Sequence, residues 1–102
     1  MATNKMRPVH PGEVLREEFL VPLGMSPNAL AMDLHVPAPR INDVVREKRA
    51  VTPDTALRLA RYFGTTAQFW LNLQSSFDLK QVAREFGKKI DQEVKPLQRR
   101  AA

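Results

Sequence analysis

Apolar residues recur at intervals of three and four along most of the chain, which is the spacing of one face of an α-helix. The strict alternation of a half-buried strand does not occur in this sequence. Helices are predicted over about residues 11–21, 27–34, 38–47, 53–63 and from about 66 onward. The pattern therefore predicts an all-α domain of five helices.

Prolines mark the starts of three of these helices. Three of the eight prolines directly follow a residue that can cap a helix, in the pairs His10–Pro11, Ser26–Pro27 and Thr52–Pro53. Proline suits the first helical position because its missing N–H would have no partner there. Thr65 and Gln68 have the spacing of a capping box ahead of the fifth helix. The prolines are thus compatible with a helical fold.

The same periodicity predicts which side chains face inward. Those expected to be buried are Val14, Leu15, Phe19 and Leu20 in helix 1, Leu30, Ala31 and Leu34 in helix 2, Ile41, Val44 and Val45 in helix 3, and Ala56, Leu57, Leu59, Ala60 and Phe63 in helix 4. Pro22 and Gly24 are expected to end helix 1.

The fifth helix has an apolar stripe that is long for so small a domain, and it is expected to be extended or kinked near Ser75–Ser76. Its second half is therefore predicted to meet a second copy of the chain, through Phe77, Leu79, Val82 and Phe86. The alternative is that the whole stripe packs over helices 1 and 4 of its own chain. Past Gly87 the sequence is polar and basic, which predicts a domain over 1–87 and a frayed, flexible tail over 88–102.

Helices 2 and 3 are short and joined by a tight corner, as in a helix-turn-helix. Leu30 and Ala31 are placed to pack on Ile41, which turns the opposite side of helix 3 outward. That side is polar and cationic, and the DNA major groove is wide enough to admit an α-helix. Because such corners also occur as ordinary helical packing, DNA binding is at this point a hypothesis.

The outward side chains of helix 3 have the chemistry of base recognition. Arg40 suits guanine, Asn42 suits adenine, and Asp43 can accept a hydrogen bond from cytosine. Ala38 and Pro39 are small and apolar, which suits a thymine methyl group.

Cations follow at the exit of helix 3. Arg46, Lys48 and Arg49 are placed to contact phosphate oxygens. The alternative for Lys48 and Arg49 is a solvated helix end that the helix dipole favours. Glu47, between them, is expected to pair with a neighbouring cation.

Composition agrees with a nucleic-acid partner and argues against other classes. Lys plus Arg exceed Asp plus Glu by 16 − 11 = +5, which suits a polyanion. The chain has no cysteine, and its two histidines have no evident nucleophile partner, so we expect no enzyme, metal, cofactor or small-molecule substrate. There is neither a signal peptide nor an apolar run near the ~20 residues that span a bilayer, so we expect a cytoplasmic protein without a membrane partner.

Four sequence segments, in order, carry a resemblance to a known family. They are HPGE-x-L-x-EEFL over 10–20, NALA over 28–31, KR-x-VTPDTALRLA over 48–60 and FWLNLQ-x-x-FDL over 69–79. Together they cover most of residues 8–79, and they resemble HigA-type antitoxins of bacterial toxin–antitoxin modules. This resemblance implies a five-helix, phage-repressor-like domain of the xenobiotic-response-element (XRE) group. It also implies a bacterial homodimer that binds a palindromic operator and represses its own operon. When bound to DNA, such a protein is associated with the nucleoid.

The implied protein partner is a small cationic HigB-type toxin, a RelE-like mRNA-cleaving ribonuclease that the antitoxin holds inactive. The acidic cluster of helix 1 is the expected surface for such a toxin, through Glu13, Glu17 and Glu18. A stand-alone repressor without a toxin and a domain that binds an acidic protein are the alternative functions.

By matching positions, the resemblance also implies phosphate contacts from Pro27 and Asn28 at the start of helix 2. Many relatives have Gln at the position of Pro27, so one side-chain contact is lost here. Many also have Gly where His35 and Glu47 stand. Both turns must therefore change geometry or hold a non-glycine residue in the left-handed conformation.

Overall fold

In the computed structural model, which describes residues 7–98, the chain folds into five helices joined by short turns. The first helix, α1, runs as an α-helix over Pro11–Val14, as a wider π-helix over Leu15–Leu20 and again as an α-helix over Val21–Leu23. It is followed by α2 over Pro27–Leu34, α3 over Ala38–Val45, α4 over Pro53–Phe63 and α5 over Ala67–Glu93. Residues 7–98 contain no strand. The prediction of an all-α, five-helix domain is confirmed.

The predicted N-caps form as hydrogen bonds. Side chains accept from backbone N–H groups two or three residues later, at 2.8 Å for His10, 3.0 Å for Ser26 and 3.4 Å for Thr52. The cap of α5 was misplaced by one residue, because Thr66 and not Thr65 accepts the N–H of Phe69, at 3.0 Å. Thr65 instead accepts the indole N–H of the buried Trp70, at 2.8 Å.

Pro22 does not end α1, as the sequence suggested. It lies inside the helix, which continues to Leu23 and ends where Gly24 adopts a left-handed conformation with φ of 62°. In a regular α-helix the ring of Pro22 would collide with the carbonyl four residues earlier. The preceding turns widen into the π-helix, where the N–H of Val21 reaches Arg16 O. The π-helical turn thereby lets the helix continue past Pro22.

The core lies between α1, α2, α3, α4 and the first half of α5. Its fully buried side chains include Leu15, Leu30, Ile41, Val44, Leu59 and Trp70. The inward residues predicted for α2 and α3 are all buried. Leu57 on α4 was wrongly placed in the core and is 64% exposed, because Thr55, Ala56 and Leu59 occupy the inward face there.

The last helix is longer than predicted. It is continuous through Ser75–Ser76 and ends at Glu93, so fraying directly after Gly87 is wrong for residues 88–93. Residues 94–98 belong to no helix, and the rest of the predicted tail, 99–102, lies outside the described residues. A helix of 27 residues is about 40 Å long. Its second half therefore extends beyond the core, which gives the molecule extents of 57 × 29 × 25 Å.

Candidate nucleic-acid interface

α2 and α3 meet at a tight corner formed by residues 35–37. His35 has φ of 60°, and its N–H and that of Val36 bond to the carbonyls of Met32 and Ala31, each at 3.1 Å. These two bonds close the end of α2 and send the chain directly into α3. The helix-turn-helix predicted from the sequence is thus present.

Within residues 7–98, four turns use a left-handed residue to end a helix. Gly24 and Gly64 do so with φ of 62° and 74°, and His35 and Glu47 with 60° and 64°. Of the two possibilities open for His35 and Glu47, the structure has the left-handed one, which costs a side-chain-bearing residue roughly 1–2 kcal/mol. Because Glu47 takes this conformation, α3 ends at Val45, two residues earlier than predicted. Both such residues flank α3.

The inner face of α3 rests on the start of α1 at very short range. A Cβ added to Gly12 would lie 1.8 Å from the carbonyl oxygen of Val44, so only glycine allows this approach. His10 secures the same point, since its Nδ1 accepts the N–H of Gly12 and its ring meets Phe77 of α5 edge-on at 4.8 Å. Burial of His10 lowers its pKa. Sequence reasoning missed this role of Gly12. A glycine inside a predicted helix is visible in the sequence, but its contact partner, Val44, is distant along the chain.

Arginines from the scaffold hold the ends of both helices. Arg16 of α1 donates to the carbonyl of Val45 at 2.6 Å, at the end of α3. Arg58 of α4 donates to the carbonyl of Leu34 at 2.8 Å, at the end of α2. Arg16 also pairs with Glu47 at 3.4 Å, which confirms the prediction that Glu47 meets a neighbouring cation. These bonds satisfy terminal carbonyls and fix the two helices relative to the domain.

The outer face of α3, defined as Ala38, Pro39, Arg40, Asn42, Asp43 and Arg46, is turned away from the core. At its first turn Pro39 is exposed and Ala38 half-buried. Arg40 bends sideways and donates from Nη1 to Asp54 Oδ2 at the start of α4. Asp54 also accepts from Arg58 at 3.0 Å, and bonds from both arginines hold the pKa of its carboxyl below the usual range.

Asn42 and Asn28, predicted as separate contacts for base and phosphate, are joined in the structure. Asn42 Nδ2 donates to Asn28 Oδ1 at 2.7 Å and to the carbonyl of Ala38 at 3.0 Å. The amide of Asn42 is therefore fixed on both sides. Its Oδ1 makes no hydrogen bond within residues 7–98. The start of α2 and the middle of α3 thus form one polar surface.

The remaining charges differ along α3. Asp43 is 3.4 Å from Arg49, so its charge is partly offset within the chain. Arg46 and Lys48 are exposed, and neither forms an ion pair with another residue in the described range 7–98. The exit of α3 therefore presents unpaired cations beside a first turn whose polar groups are already bonded.

Comparison with known proteins agrees with this geometry. Residues 15–70, more than half of the chain, match the helix-turn-helix family model HTH_3. The chain is 57% identical over 82 residues to virulence-associated protein I of Dichelobacter nodosus, covering 80% of this chain and 76% of that one. It is 38% identical over 79 residues to antitoxin HigA-1 of Vibrio cholerae, covering 78% and 74% of the two chains. The chain belongs to the HigA antitoxin family of helix-turn-helix proteins.

A solved structure of this family superimposes over nearly the whole chain. The Pseudomonas aeruginosa antitoxin HigA, determined with the higBA promoter, has a TM-score of 0.88 and 53% identity, covering 90% of this chain and 100% of that one. None of the three names describes an enzyme. The family resemblance inferred from the four sequence segments is confirmed.

The acidic cluster of α1 is largely paired within this HigA-family chain. Glu13 accepts two bonds from Arg7, at 2.7 and 2.8 Å, which lower the pKa of its carboxyl. Glu17 accepts from Arg16 at 2.9 Å. Glu18 is exposed and has no ion pair within residues 7–98. Of the three carboxylates, Glu18 alone faces solvent without a cation.

The predicted dimer residues on α5 divide into two kinds. Leu79, Val82 and Phe86 are 71%, 46% and 48% exposed and lie on one face of α5, so they form a contiguous apolar patch. Phe77 is half-buried and packs against His10 of its own chain. Phe77 therefore takes part in the contact between the start of α1 and α5, and its place at a dimer interface stays a prediction.

Other kinds of site receive no support within residues 7–98. No group of three or more His, Asp or Glu side chains there is arranged to hold a metal ion. In the same range no helix is both long and apolar enough to cross a membrane.

Proposed function

We propose that this chain is an antitoxin that, as a dimer, binds operator DNA to repress its own operon, and that binds and inactivates a RelE-like mRNA-cleaving toxin. The observation that carries the proposal is the outward α3, with unpaired cations at its exit, in a chain 53% identical to an antitoxin determined with its promoter. Its place of action is the cytoplasm, at the nucleoid when it is bound to DNA.

For DNA, we assign base contacts to the outer face of α3 as far as Asp43, and phosphate contacts to its exit and to the start of α2. Ala38, Pro39, Arg40, Asn42 and Asp43 face the bases, and Asn28, Arg46, Lys48 and Arg49 face the backbone. Exposed cations at a helix exit suit phosphates, because their contact with the DNA backbone releases condensed counterions and so favours binding. Arg40 and Asn42 are held by neighbouring side chains, which suits bases, because sequence discrimination requires fixed donor and acceptor positions.

For the dimer, we propose the exposed stripe on the second half of α5. Leu79, Val82, Phe86 and Ile90 follow at intervals of three and four, so they share one face of the helix. Two copies packed along this stripe would cover apolar surface that a single chain leaves in water. They would also present two α3 helices, which is what a palindromic operator requires.

For the toxin, we propose the outer side of α1. The pairing of Glu13 and Glu17 within the chain leaves Glu18 as the carboxylate that a cationic partner would meet. The toxin itself follows from membership of the HigA family.

The test of DNA binding is a mobility-shift titration of the full chain on the promoter fragment of its own operon, at several salt concentrations. We expect specific binding whose log Kd changes with log salt by roughly 0.9 for each phosphate contacted. Equal affinity for an unrelated fragment of the same length would contradict the repressor function.

The test of the antitoxin function is to look beside the gene for a small basic reading frame and to co-express that neighbour with this chain. We expect this chain to restore growth when that neighbour is induced. Specific promoter binding without rescue would leave a stand-alone repressor instead.

A further inference from the structure

We propose that Asp54 is a positioning residue for DNA recognition: its carboxylate holds the guanidinium of Arg40 in the orientation from which Arg40 reads a base pair. The proposal rests on the DNA-binding function above and adds a specificity determinant from outside the helix-turn-helix. Asp54 lies in the first turn of α4, where a carboxylate also interacts favourably with the helix dipole.

A continuous chain of hydrogen bonds supports this role. Arg40 on α3 donates from Nη1 to Asp54 Oδ2, and the same oxygen accepts from Arg58 Nε at 3.0 Å. Arg58 in turn donates from Nη1 to the carbonyl of Leu34 at 2.8 Å. The chain therefore runs from the end of α2, through α4, to the outer face of α3. Asp54 is anchored before it anchors Arg40.

The contact leaves part of the Arg40 guanidinium for DNA. Nη1 alone is bonded; Nε and Nη2 make no hydrogen bond within residues 7–98. These two nitrogens lie along one edge of the planar group, and such an edge can bond guanine O6 and N7 together. The side chain of Arg40 is 31% exposed, so much of its freedom is already lost before binding. The arrangement is that of a preorganised base contact.

The same pair has an opposite possible role, as a lock that withholds Arg40 until DNA displaces Asp54. A lock would occupy the edge that faces the base, whereas here Asp54 takes one terminal nitrogen from the side of α4. A positioning role also accounts for the hydrogen bond from Arg58 to Asp54, because that bond fixes the carboxylate that holds Arg40. The two roles predict changes of opposite sign in base preference when the carboxylate is removed.

The experiment measures base preference with the full chain and a panel of promoter sites, each changed at one base pair. Arg40→Ala first identifies the base pair at which preference is lost. At that position we expect Asp54→Asn to reduce the preference by about twofold to tenfold, the range for losing one preorganised side chain. Asp54→Glu retains a carboxylate and is expected to retain most of the preference. Melting curves verify that each variant is folded.

Two comparisons separate positioning from general effects of charge and folding. In an Arg40→Ala background, Asp54→Asn is expected to leave preference unchanged, because there is no guanidinium to orient. Asp33→Asn removes the same charge from the same surface groove between α2 and α4, but Asp33 accepts from Tyr62 and does not touch Arg40. This control is expected to change affinity for all sites alike.

Several results would overturn the proposal while leaving promoter binding intact. These are an unchanged or increased preference in Asp54→Asn, a loss that persists without Arg40, or no base position that depends on Arg40. If the unmodified chain shows no preference for its promoter, the proposed function fails first, and the role of Asp54 fails with it.

Discussion

The inner and outer faces of α3 differ in what their side chains contact. On the inner face, Ile41 and Val44 are fully buried, and the backbone at Val44 touches α1 at Gly12. On the outer face, Arg40 and Asn42 are bonded to α4 and α2, whereas Arg46 and Lys48 at the exit form no ion pair within the described range. The inner face fixes where the helix lies, and the outer face divides between ordered groups suited to bases and free charges suited to phosphates.

The largest expected effect comes from disturbing the inner face. Gly12→Ala places a methyl group on the carbonyl of Val44, and backbone must move to relieve the overlap. We expect the free energy of unfolding to fall by about 3 kcal/mol, the upper end of the range for overpacking. Chemical denaturation followed by helix content measures this change.

Gly87→Ala is the matched control, because a Cβ at Gly87 meets nothing within 4 Å and the site is inside α5. A gain of about 0.5–1 kcal/mol is expected there from helix propensity. If Gly12→Ala is as stable as the unmodified chain, the close approach of α1 and α3 is not a feature of the folded protein.

On the outer face, Asn42→Ala removes a side chain that Asn28 and the carbonyl of Ala38 hold in place. We expect a loss of about 1–3 kcal/mol in binding at one base pair of the operator and little change elsewhere. Competition with single-base variants of the promoter site measures this. A uniform loss across all variants would place Asn42 among the backbone contacts instead.

Much of the buried side of the domain, including the inner face of α3, was predictable, because burial follows local periodicity. The buried residues of α2 and α3, three N-caps and the corner at residues 35–37 all follow from spacing and capping chemistry. Leu57 was wrong because periodicity does not say how wide the buried stripe of α4 is.

Most of the outer face was predictable in residue type but not in arrangement. The pairs Arg40–Asp54 and Asn28–Asn42 each join residues 14 apart in sequence, on different helices. No local pattern encodes such partners, since they depend on how α2, α3 and α4 pack. The extension of α5 to Glu93 was missed for another reason: its polar composition lowers the expected helicity, although a regular helix had already been nucleated.

Protonation of His10 tests the inner face through pH. Burial lowers the pKa of folded His10 below the ordinary value of about 6.5, so the unfolded chain takes up the proton first as pH falls. The free energy of unfolding is therefore expected to be highest above about pH 6.5 and to decrease as the pH falls below that value. Thermal melts from pH 8 to 5 measure the decrease.

His10→Asn keeps a side-chain oxygen for the N-cap and is expected to flatten this dependence. His35→Asn is the control, because His35 is exposed and Asn tolerates its left-handed conformation. An equal flattening in both variants would show that burial of His10 is not the cause.

The smallest expected effect concerns the turn between α2 and α3. His35→Gly relieves a left-handed backbone with φ of 60°, while the freer unfolded chain offsets part of the gain. We expect about 0.5 kcal/mol of added stability. Gly64→Ala, at φ of 74° and with nothing within 4 Å, is expected to lose about 1 kcal/mol. Changes of the same sign in both would contradict the backbone explanation.

The most direct test of DNA binding by α3 is the salt dependence of promoter affinity in Lys48→Ala. Removing an unpaired cation at the exit of α3 is expected to lower the log–log slope by about 0.9, one phosphate contact, with base preference unchanged. Lys88→Ala changes the net charge equally but lies on the side of α5 opposite Leu79 and Phe86, and it is expected to leave the slope unchanged. Loss of base preference with an intact slope in Lys48→Ala, or equal slopes in the two variants, would contradict the assignment of the exit of α3 to the DNA backbone.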